Sequence, residues 1–293
     1  MIPKIKVGIC IAYDWEMLKI ALPIIYKEVD AICLSLDINR QSWTGNIFEF
    51  DNPSFYQYVK DIDTDNKIIV YEDDFYQDKK NPMANEVYQR NCIANKLGID
   101  GSWHIQIDVD EYFLNIKEVV SFLKKSNFKK EINISMPFLT LFKKVENGYV
   151  LIKGQTEWMP FISNKPHYDY GRMNGYFNYK LDSPVLHQSW ARSETEIQQK
   201  ISNWGHKNDF DVQAFFQRWK KLNADNYTEW TDFHPIDGAV WHELVLIKGE
   251  TIDELLEDEN RQFEQLKTYS SIELLIKNSK LFSKVFQILG IKW

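Results

Sequence analysis

Cysteine is scarce in this sequence of 293 residues, which contains only Cys10, Cys33 and Cys92. The three show neither a CxxC spacing nor a framework of pairs. The sequence therefore argues against a disulfide-stapled fold and indicates free thiols in a reducing compartment. Long apolar runs are missing too, since no window approaches the roughly 20 residues needed to span a bilayer. We expect a cytoplasmic protein.

Positive charge is also in deficit. Lysine and arginine number 35 against 42 aspartate and glutamate residues, giving a net charge of −7. That balance removes the electrostatic case for non-specific binding of nucleic acid. The sequence has no internal repeat, no low-complexity tract and no linker rich in Gly, Ser or Pro. Aromatic residues are abundant at 15%, and such side chains fill cores or build ligand surfaces.

Short apolar runs alternate with helix-like segments over the first 110 or so residues. The pattern predicts strands at 5–12, 30–36, 67–71 and 103–107 and helices at 15–27, 54–61 and 82–97. This alternation predicts an α/β fold, with a mostly parallel sheet and helices on both faces. Ligands bind such sheets at the carboxyl ends of the strands. Asp14, Asp37 and Asp108 each follow a predicted strand, so polar chemistry is expected at that edge.

The pattern changes after about residue 130. Short strands are predicted at 131–138, 149–153, 159–163, 176–180 and 184–188, and helices at 194–203, 211–222 and twice within 251–289. We expect one domain over residues 1–235, whose halves meet near residue 115. Residues 236–293 are expected to form a helical C-terminal extension.

The acidic run Asp108-Val109-Asp110 directly follows an apolar strand. Two carboxylates so close together repel each other and resist burial, and a divalent cation removes both problems. Mg²⁺ and Mn²⁺ prefer oxygen ligands and usually keep phosphate oxygens and waters in their shells. The run therefore predicts a Mn²⁺ or Mg²⁺ site, with Asp108 and Asp110 as ligands, that bridges the protein to a diphosphate.

Other acidic motifs fit this run less well, although a solvated acidic turn stays an alternative. An EF-hand loop counted from Asp108 needs Gly at its sixth position and Glu at its twelfth. The sequence has Phe113 and Val119 there, which excludes an EF-hand. A phosphatase nucleophile usually follows the first strand and has Thr or Val where Tyr112 stands. The phosphatase is disfavoured but left open.

The segment from Trp103 to Phe113, with Asp108-Val109-Asp110-Glu111 near its end, resembles the GT-A glycosyltransferases. The likeness is to family-2-like and family-92-like bacterial enzymes. Those enzymes often have an Arg on the preceding helix, here Arg90, then a Gly, here Gly98, then a strand ending in Asp-x-Asp-Glu. The resemblance covers the first half of the chain well and the second half loosely. It implies a GT-A fold, a UDP- or GDP-sugar donor and bound Mn²⁺ or Mg²⁺.

The same resemblance implies roles for individual residues. Residues 1–115 would bind the nucleotide sugar and residues 116–235 the acceptor. Where the family often has an Asn-Glu pair after the first strand, this sequence has Tyr13-Asp14-Trp15-Glu16. A His late in the domain, here His187, would complete the metal shell. The implied contacts of the nucleoside and diphosphate are Ile11, Ala12, Tyr13, Asp14, Asp37, Arg90, Asp108 and Arg192.

An inverting transferase needs a carboxylate to accept the proton of the acceptor hydroxyl. Glu157 and Asp169 lie in predicted loops beside aromatic residues, which suit the faces of sugars, so both are candidates for this base. Purely structural alternatives stay open for three other residues: Asp37 in a turn, Arg90 on a helix surface and His187 packed at a strand end.

The stretch 272–289 is rich in Leu, Ile and Phe with lysines among them. We expect it to dock on the catalytic domain, with homodimer formation or peripheral contact with the inner face of the cell membrane as alternatives. The expected reaction is sugar transfer to a saccharide or lipid-linked acceptor, in bacterial surface polysaccharide synthesis. The rivals are a non-catalytic carbohydrate-binding protein and a sugar nucleotidyltransferase, which the lack of Gly over residues 11–17 disfavours.

Overall fold

The computed structural model describes residues 2–99, 101–153, 157–203, 210–235, 240–257, 261–264, 266 and 270–279. Its first half alternates strands and helices, as the sequence predicts. The elements in chain order are β1 (Lys4–Ile11), α1 (Leu18–Tyr26), β2 (Ala31–Asp37), α2 (Asn52–Ile62), β3 (Ile68–Asp73), α3 (Pro82–Leu97), β4 (Ser102–Asp108), β5 (Glu111–Phe113) and α4 (Ile116–Lys125). A short 3-10 turn, Trp15–Met17, leads into α1.

Four of these strands form a parallel unit in the order β3-β2-β1-β4. The three inner strands are buried along nearly their whole length, which explains their continuous apolar runs. β3 lies at the edge and is only partly buried. The α/β class predicted from the sequence, with a central sheet flanked by helices, is confirmed.

Helix α3 packs closely against β1 because β1 contains Gly8. A Cβ at this position would lie 2.3 Å from the Ile93 Cγ2 atom of α3, so no larger residue fits without movement. The helix begins after Asn81, whose side chain accepts the N–H of Ala84, and ends at Gly98, which has a φ of +76°. Arg90 faces the sheet edge from the middle of this helix and is 1% exposed.

The second half is richer in strands. Its elements are β6 (Ile132–Val145), β7 (Gly148–Lys153), β8 (Glu157–Ser163), β9 (Phe177–Lys180), β10 (Val185–His187), α5 (Glu194–Asn203), α6 (Val212–Lys220), β11 (Glu243–Lys248), α7 (Ile252–Glu257), α8 (Arg261–Glu264) and α9 (Ser271–Lys277). β8 pairs antiparallel with β4, and the sheet continues through β6 and β7 to β11. The strands of both halves therefore belong to one mixed sheet.

Strand β10 joins the acidic run to the second half of the chain. It pairs antiparallel with β5, with His187 opposite Glu111, and parallel with β6. Val185 and Leu186 are fully buried and anchor this short strand in the core. The pairing carries His187, and Arg192 beyond it, to the carboxyl edge of β4.

The C-terminal extension differs in part from the prediction, which makes residues 236–293 a helical extension with two helices within 251–289 and no strand. The structure has a strand there, β11, which pairs antiparallel with β7 along its whole length. Leu244 and Ile247 are buried, whereas Glu243 and Lys248 at the two ends are exposed. The reason is tertiary: the exposed edge of β7 supplies hydrogen-bond partners that the local sequence does not reveal.

Helix α9 docks on the sheet beside β9. Asn278 accepts the N–H of Lys180 at 2.6 Å and donates to the carbonyl of the same residue at 2.8 Å. Docking is thus seen for residues 271–279, whereas residues 280–293 lie outside the described part of the chain. Homodimer formation and membrane contact stay predictions. Of the helices that the structure describes, none has both the length and the apolar character needed to span a bilayer.

Candidate active site

A cavity of about 490 Å³ lies at the carboxyl edge of the sheet. This volume is in the range of small-molecule sites. Its wall is formed by the ends of β1, β2 and β4, by β6, β8 and β10, and by helices α3 and α5. Every predicted site residue except Asp169 lines this cavity, namely Ile11, Ala12, Tyr13, Asp14, Asp37, Arg90, Asp108, Asp110, Glu157, His187 and Arg192.

Asp108 is held by two arginines. Arg90 donates from one terminal nitrogen to both carboxylate oxygens, at 2.9 and 3.1 Å, and from Nε to Glu86 at 2.9 Å. Arg172 donates to Asp108 at 2.8 Å and to Glu111 at 2.8 Å. Both guanidinium groups are nearly inaccessible. Arg90 therefore orients the end of β4, and its predicted contact with a diphosphate stays a prediction.

Asp110 is surrounded by a second set of basic side chains. Its Oδ2 atom accepts from Arg192 at 2.5 Å and lies 3.4 Å from both the Lys200 Nζ and the His187 Nε2 atoms. The other terminal nitrogen of Arg192 donates to Asp14 at 2.8 Å. The site thus joins residues that follow β1, β4 and β10 with one residue of α5.

These cations decide the protonation of the two aspartates. Burial alone would raise the pKa of Asp108, but Arg90 and Arg172 outweigh it and hold this pKa below its usual value. Burial likewise opposes ionisation of Asp110, yet the neighbouring cations, Lys200 first among them, hold its pKa well below the usual range. Both carboxylates are therefore charged at neutral pH.

Glu111 behaves differently from its two acidic neighbours. Burial raises its pKa to about 7, although the Arg172 guanidinium opposes the shift and the Asp108 charge adds to it. The Oε2 atom of Glu111 also accepts the backbone N–H of Asp108 at 2.8 Å. This contact closes the turn that follows β4 and holds the backbone at Asp108.

His187 is oriented by stacking. Its ring lies parallel to the ring of Phe138, with centroids 4.4 Å apart and an interplanar angle of 15°. Burial lowers the pKa of His187, against the opposing charge of Asp110, so the neutral imidazole is the main form at neutral pH. Neutral imidazole is the form that binds metals.

Asp110 and His187 together fit one side of a divalent-cation site. A carboxylate oxygen and an imidazole nitrogen suit Mn²⁺, and substrate phosphates commonly supply the rest of such a shell. Within the described part of the chain, no group of three His, Cys, Asp or Glu side chains is arranged to hold a metal unaided. Asp108 is occupied by its two arginines, so its predicted role as a ligand stays a prediction.

Asp37 lines the cavity, but its carboxylate serves the local backbone. Its two oxygens accept the N–H groups of Asn39, Gln41, Phe75 and Tyr76 at 2.9 to 3.1 Å. The side chain ties the loop after β2 to the loop after β3. The turn role left open by the sequence is therefore present, and contact with a nucleoside stays a prediction.

The two candidate bases occupy different environments. Glu157 borders the cavity, and desolvation by the surrounding protein raises its pKa although the side chain still reaches solvent; a hydrogen bond with Trp241 opposes this shift. The Asp169 side chain is 66% exposed, lies 3.4 Å from His167 and does not contribute to the cavity wall. The structure therefore brings Glu157 into the site and leaves Asp169 outside it.

Two cations of the site were not predicted from the sequence. Arg172 lies in the loop between β8 and β9, where the sequence has no hydrophobic periodicity that would predict a buried residue. Lys200 carried a weak signal, because it follows the buried Ile197 by three residues and precedes the buried Ile201 on α5. A lysine beside the buried stripe of a helix can reach across the wall of a cavity.

Comparison with known proteins gives little guidance. No family model and no curated protein matches the chain. The 4-diphosphocytidyl-2C-methyl-D-erythritol synthase from Anaerococcus prevotii is 11% identical over 95% of this chain and 96% of that one, with a TM-score of 0.29. The mannose-1-phosphate geranyltransferase from Thermus thermophilus is 7% identical over 75% of this chain and 65% of that one, with a TM-score of 0.30. Likeness at this level carries no argument about activity.

Proposed function

We propose that the protein is a transferase that uses a nucleotide-activated substrate. In its specific form, it is a glycosyltransferase that moves a sugar from a UDP- or GDP-sugar to a saccharide or lipid-linked acceptor, as part of surface polysaccharide synthesis. One observation carries the proposal: Arg192 and Lys200 converge on Asp110 in the wall of the cavity. Guanidinium and ammonium donors beside a carboxylate that can bind a metal suit a diphosphate.

The nucleoside is assigned to the part of the cavity between β1 and β2. Trp43 lines this part, and its indole N–H donates to Gln89 at 2.6 Å, which fixes the ring. A fixed aromatic ring offers a flat face on which a base can stack. Ile11, Ala12 and Tyr13 also line the cavity, and the proposal places these predicted nucleoside contacts beside Trp43.

The diphosphate is assigned to the end of β4. Asp110 and His187 would hold Mn²⁺ or Mg²⁺ there, and the metal would neutralise charge on the leaving nucleoside diphosphate. Arg192 is fixed by Asp14 and Asp110 and would offer its charge to the same group. Arg90 and Arg172 both donate to Asp108 and so keep the end of the strand in place.

Glu157 is assigned as the base for an inverting transfer. Its raised pKa favours proton uptake from an acceptor hydroxyl near neutral pH. As that proton moves to Glu157, the hydroxyl oxygen forms a bond to the anomeric carbon of the donor sugar. The bond from that carbon to the diphosphate breaks, and the diphosphate leaves with the electron pair.

Release of nucleoside diphosphate from a panel of UDP- and GDP-sugars tests the proposal. We expect release with Mn²⁺ or Mg²⁺ that acceptor saccharides accelerate, and a loss on the order of a hundredfold in Asp110→Asn. Asp169→Asn, outside the cavity, is the matched control and should retain activity. Equal release by Asp110→Asn would overturn the metal assignment. Release of pyrophosphate from a nucleoside triphosphate and a sugar phosphate would indicate a nucleotidyltransferase, and binding without turnover a carbohydrate-binding protein.

A further inference from the structure

Lys200 occupies the carboxylate that a metal would need. Its Nζ atom lies 3.4 Å from Asp110 Oδ2 and 3.2 Å from the Ser189 carbonyl. The His187 Nε2 atom lies 3.4 Å from the same carboxylate oxygen. An ammonium group and a candidate metal ligand therefore face one oxygen atom.

A divalent cation and this ammonium group exclude each other. Mg²⁺ binds oxygen at about 2.0–2.1 Å, and Mn²⁺ takes the same type of ligand. A cation bound between Asp110 and His187 would come within a few ångströms of the Lys200 Nζ atom. Like charges at such a separation repel strongly where solvent screening is weak. Because Arg192 also holds this oxygen, at 2.5 Å, at least one of the side chains Lys200 and Arg192 must move away from Asp110 before a metal binds.

Among the described residues Arg192 and Lys200 are the cations that hold Asp110, and Lys200 is the one that can move. Arg192 is 2% exposed in its side chain and is fixed by ion pairs to both Asp14 and Asp110. Lys200 is 17% exposed, lines the cavity, and has no other carboxylate within ion-pair distance among the described residues. Its ammonium group is carried on a flexible four-carbon stem. A diphosphate oxygen in the cavity would accept this group.

We propose that Lys200 holds Asp110 in the free protein and passes to the diphosphate when the nucleotide substrate binds. The metal then binds together with the diphosphate and not before it. Lys200 thus makes metal affinity conditional on substrate, a coupling that is reciprocal by thermodynamic necessity. Only the second part of this inference, the transfer of Lys200 to the diphosphate, rests on the proposed function. The first part, the competition between Lys200 and a metal, needs no nucleotide.

Mn²⁺ binding without nucleotide tests the competition. The electron paramagnetic resonance signal of free Mn²⁺ falls as the metal binds, so it gives the bound fraction by difference. The measurement needs no turnover. Lys200→Met should bind Mn²⁺ at least about tenfold more tightly than the natural protein, a coupling of the usual size. Lys200→Arg keeps the charge and should bind as weakly as the natural protein. Lys220→Met, which removes a surface lysine paired with Glu194 at 2.7 Å, is the matched control.

The site of the added binding is checked in the same assay. Mn²⁺ binding gained by Lys200→Met should disappear when Asp110→Asn is added to it. Equal Mn²⁺ affinity in Lys200→Met and the natural protein would overturn the inference, as would gained binding that survives Asp110→Asn. Thermal melting of each variant shows whether it is folded, and Lys200→Gln, a second neutral replacement with the same expected gain in Mn²⁺ affinity, keeps the test decisive if Lys200→Met is unstable.

The nucleotide arm separates this inference from the proposed function. UDP, GDP, CDP, ADP and TDP are titrated into the natural protein and Lys200→Met with and without Mn²⁺. We expect a diphosphate to raise Mn²⁺ affinity more in the natural protein than in Lys200→Met, after correction for metal chelated by free nucleotide. If no diphosphate binds either protein, the proposed function fails and the coupling with it. If one binds but raises Mn²⁺ affinity equally in both, only the coupling fails.

Discussion

Arg192 and Asp14, 178 positions apart in the chain, form an ion pair at 2.8 Å. The same guanidinium group binds Asp110 at 2.5 Å, so one side chain connects the ends of the first and fourth strands. Since Arg192 lies on neither strand, the geometry of the site depends on how the second half of the chain returns to the sheet. Arg192 is therefore a structural residue as well as a candidate phosphate ligand.

Arg192→Met should destabilise the protein. Among the described residues it would leave Asp110 buried with Lys200 and His187 as its basic neighbours, and removal of one partner of a buried ion pair typically costs about 3–5 kcal/mol. Because Lys200 and solvent in the cavity can compensate in part, we expect a loss of about 2–3 kcal/mol in the free energy of unfolding, measured by urea denaturation. Lys220→Met should lose less than about 0.5 kcal/mol. A loss in Arg192→Met no larger than in this control would contradict the assigned contacts.

Gly8→Ala should also destabilise the protein, because the added Cβ would lie 2.3 Å from Ile93 Cγ2 and 2.9 Å from Gln106 Nε2. Overpacking of this kind typically costs about 1–3 kcal/mol. Gly175→Ala is the matched control, since a Cβ there meets nothing within 4 Å. Thermal melting of both variants measures the difference. Adding Ile93→Ala should recover part of the loss if the clash with α3 is its cause.

His104 should make stability depend on pH. The ring is fully buried, its Nε2 atom lies 3.0 Å from the Gly98 carbonyl, and burial lowers its pKa from 6.5 to about 4. Between these two pH values the unfolded chain binds a proton that the folded chain does not, so stability falls as pH drops from 6.5 to 4. The full effect is about 3 kcal/mol.

The variant His104→Gln isolates this contribution, because glutamine can donate to Gly98 but does not titrate. Between pH 7 and pH 4, the free energy of unfolding of the natural protein should fall by about 2–3 kcal/mol more than that of His104→Gln. Urea denaturation at several pH values measures it. Parallel pH profiles of the two proteins would show that His104 is not the group responsible.

Glu157→Gln should reduce turnover while leaving donor binding unchanged. If Glu157 accepts the acceptor proton, loss of its basicity lowers kcat by about 10²–10⁴-fold. The KM for the nucleotide sugar should stay within about twofold, because the proposed role places Glu157 at the acceptor and not at the diphosphate. The control Asp169→Asn should leave both constants unchanged. A rise in KM at constant kcat would assign Glu157 to binding instead.

The fold of the first half could be predicted from the sequence because its signals are local. Buried strands such as β1 and β4 are apolar runs in the sequence, and Gly98 marks the end of α3. The strand β11 could not be predicted in this way, because it forms where β7 offers an unpaired edge. Its six residues are as compatible with a short helix as with a strand until that partner is known.

The residues of the candidate site also fall into those that local sequence predicts and those that depend on tertiary pairing. Asp108 and Asp110 could be located because they end an apolar strand, and the neighbourhood of His187 followed from a resemblance. Arg172 and Lys200 could not, because each comes from a segment that tertiary pairing brings to the sheet edge. Asp37 shows the reverse case: its position at a strand end suggested a ligand contact, whereas four backbone N–H groups already use its carboxylate.

The pairing of β10 with β5 has a consequence for any attempt to divide the gene. A fragment that stops near residue 115 would contain Asp110 and β5 but neither the strand that pairs with β5 nor the side chains of His187, Arg192 and Lys200 that face Asp110. The complementary fragment would contain those side chains without their carboxylate. Neither piece alone would assemble the site. Co-expression of the two pieces should restore nucleotide and metal binding only if β10 pairs with β5.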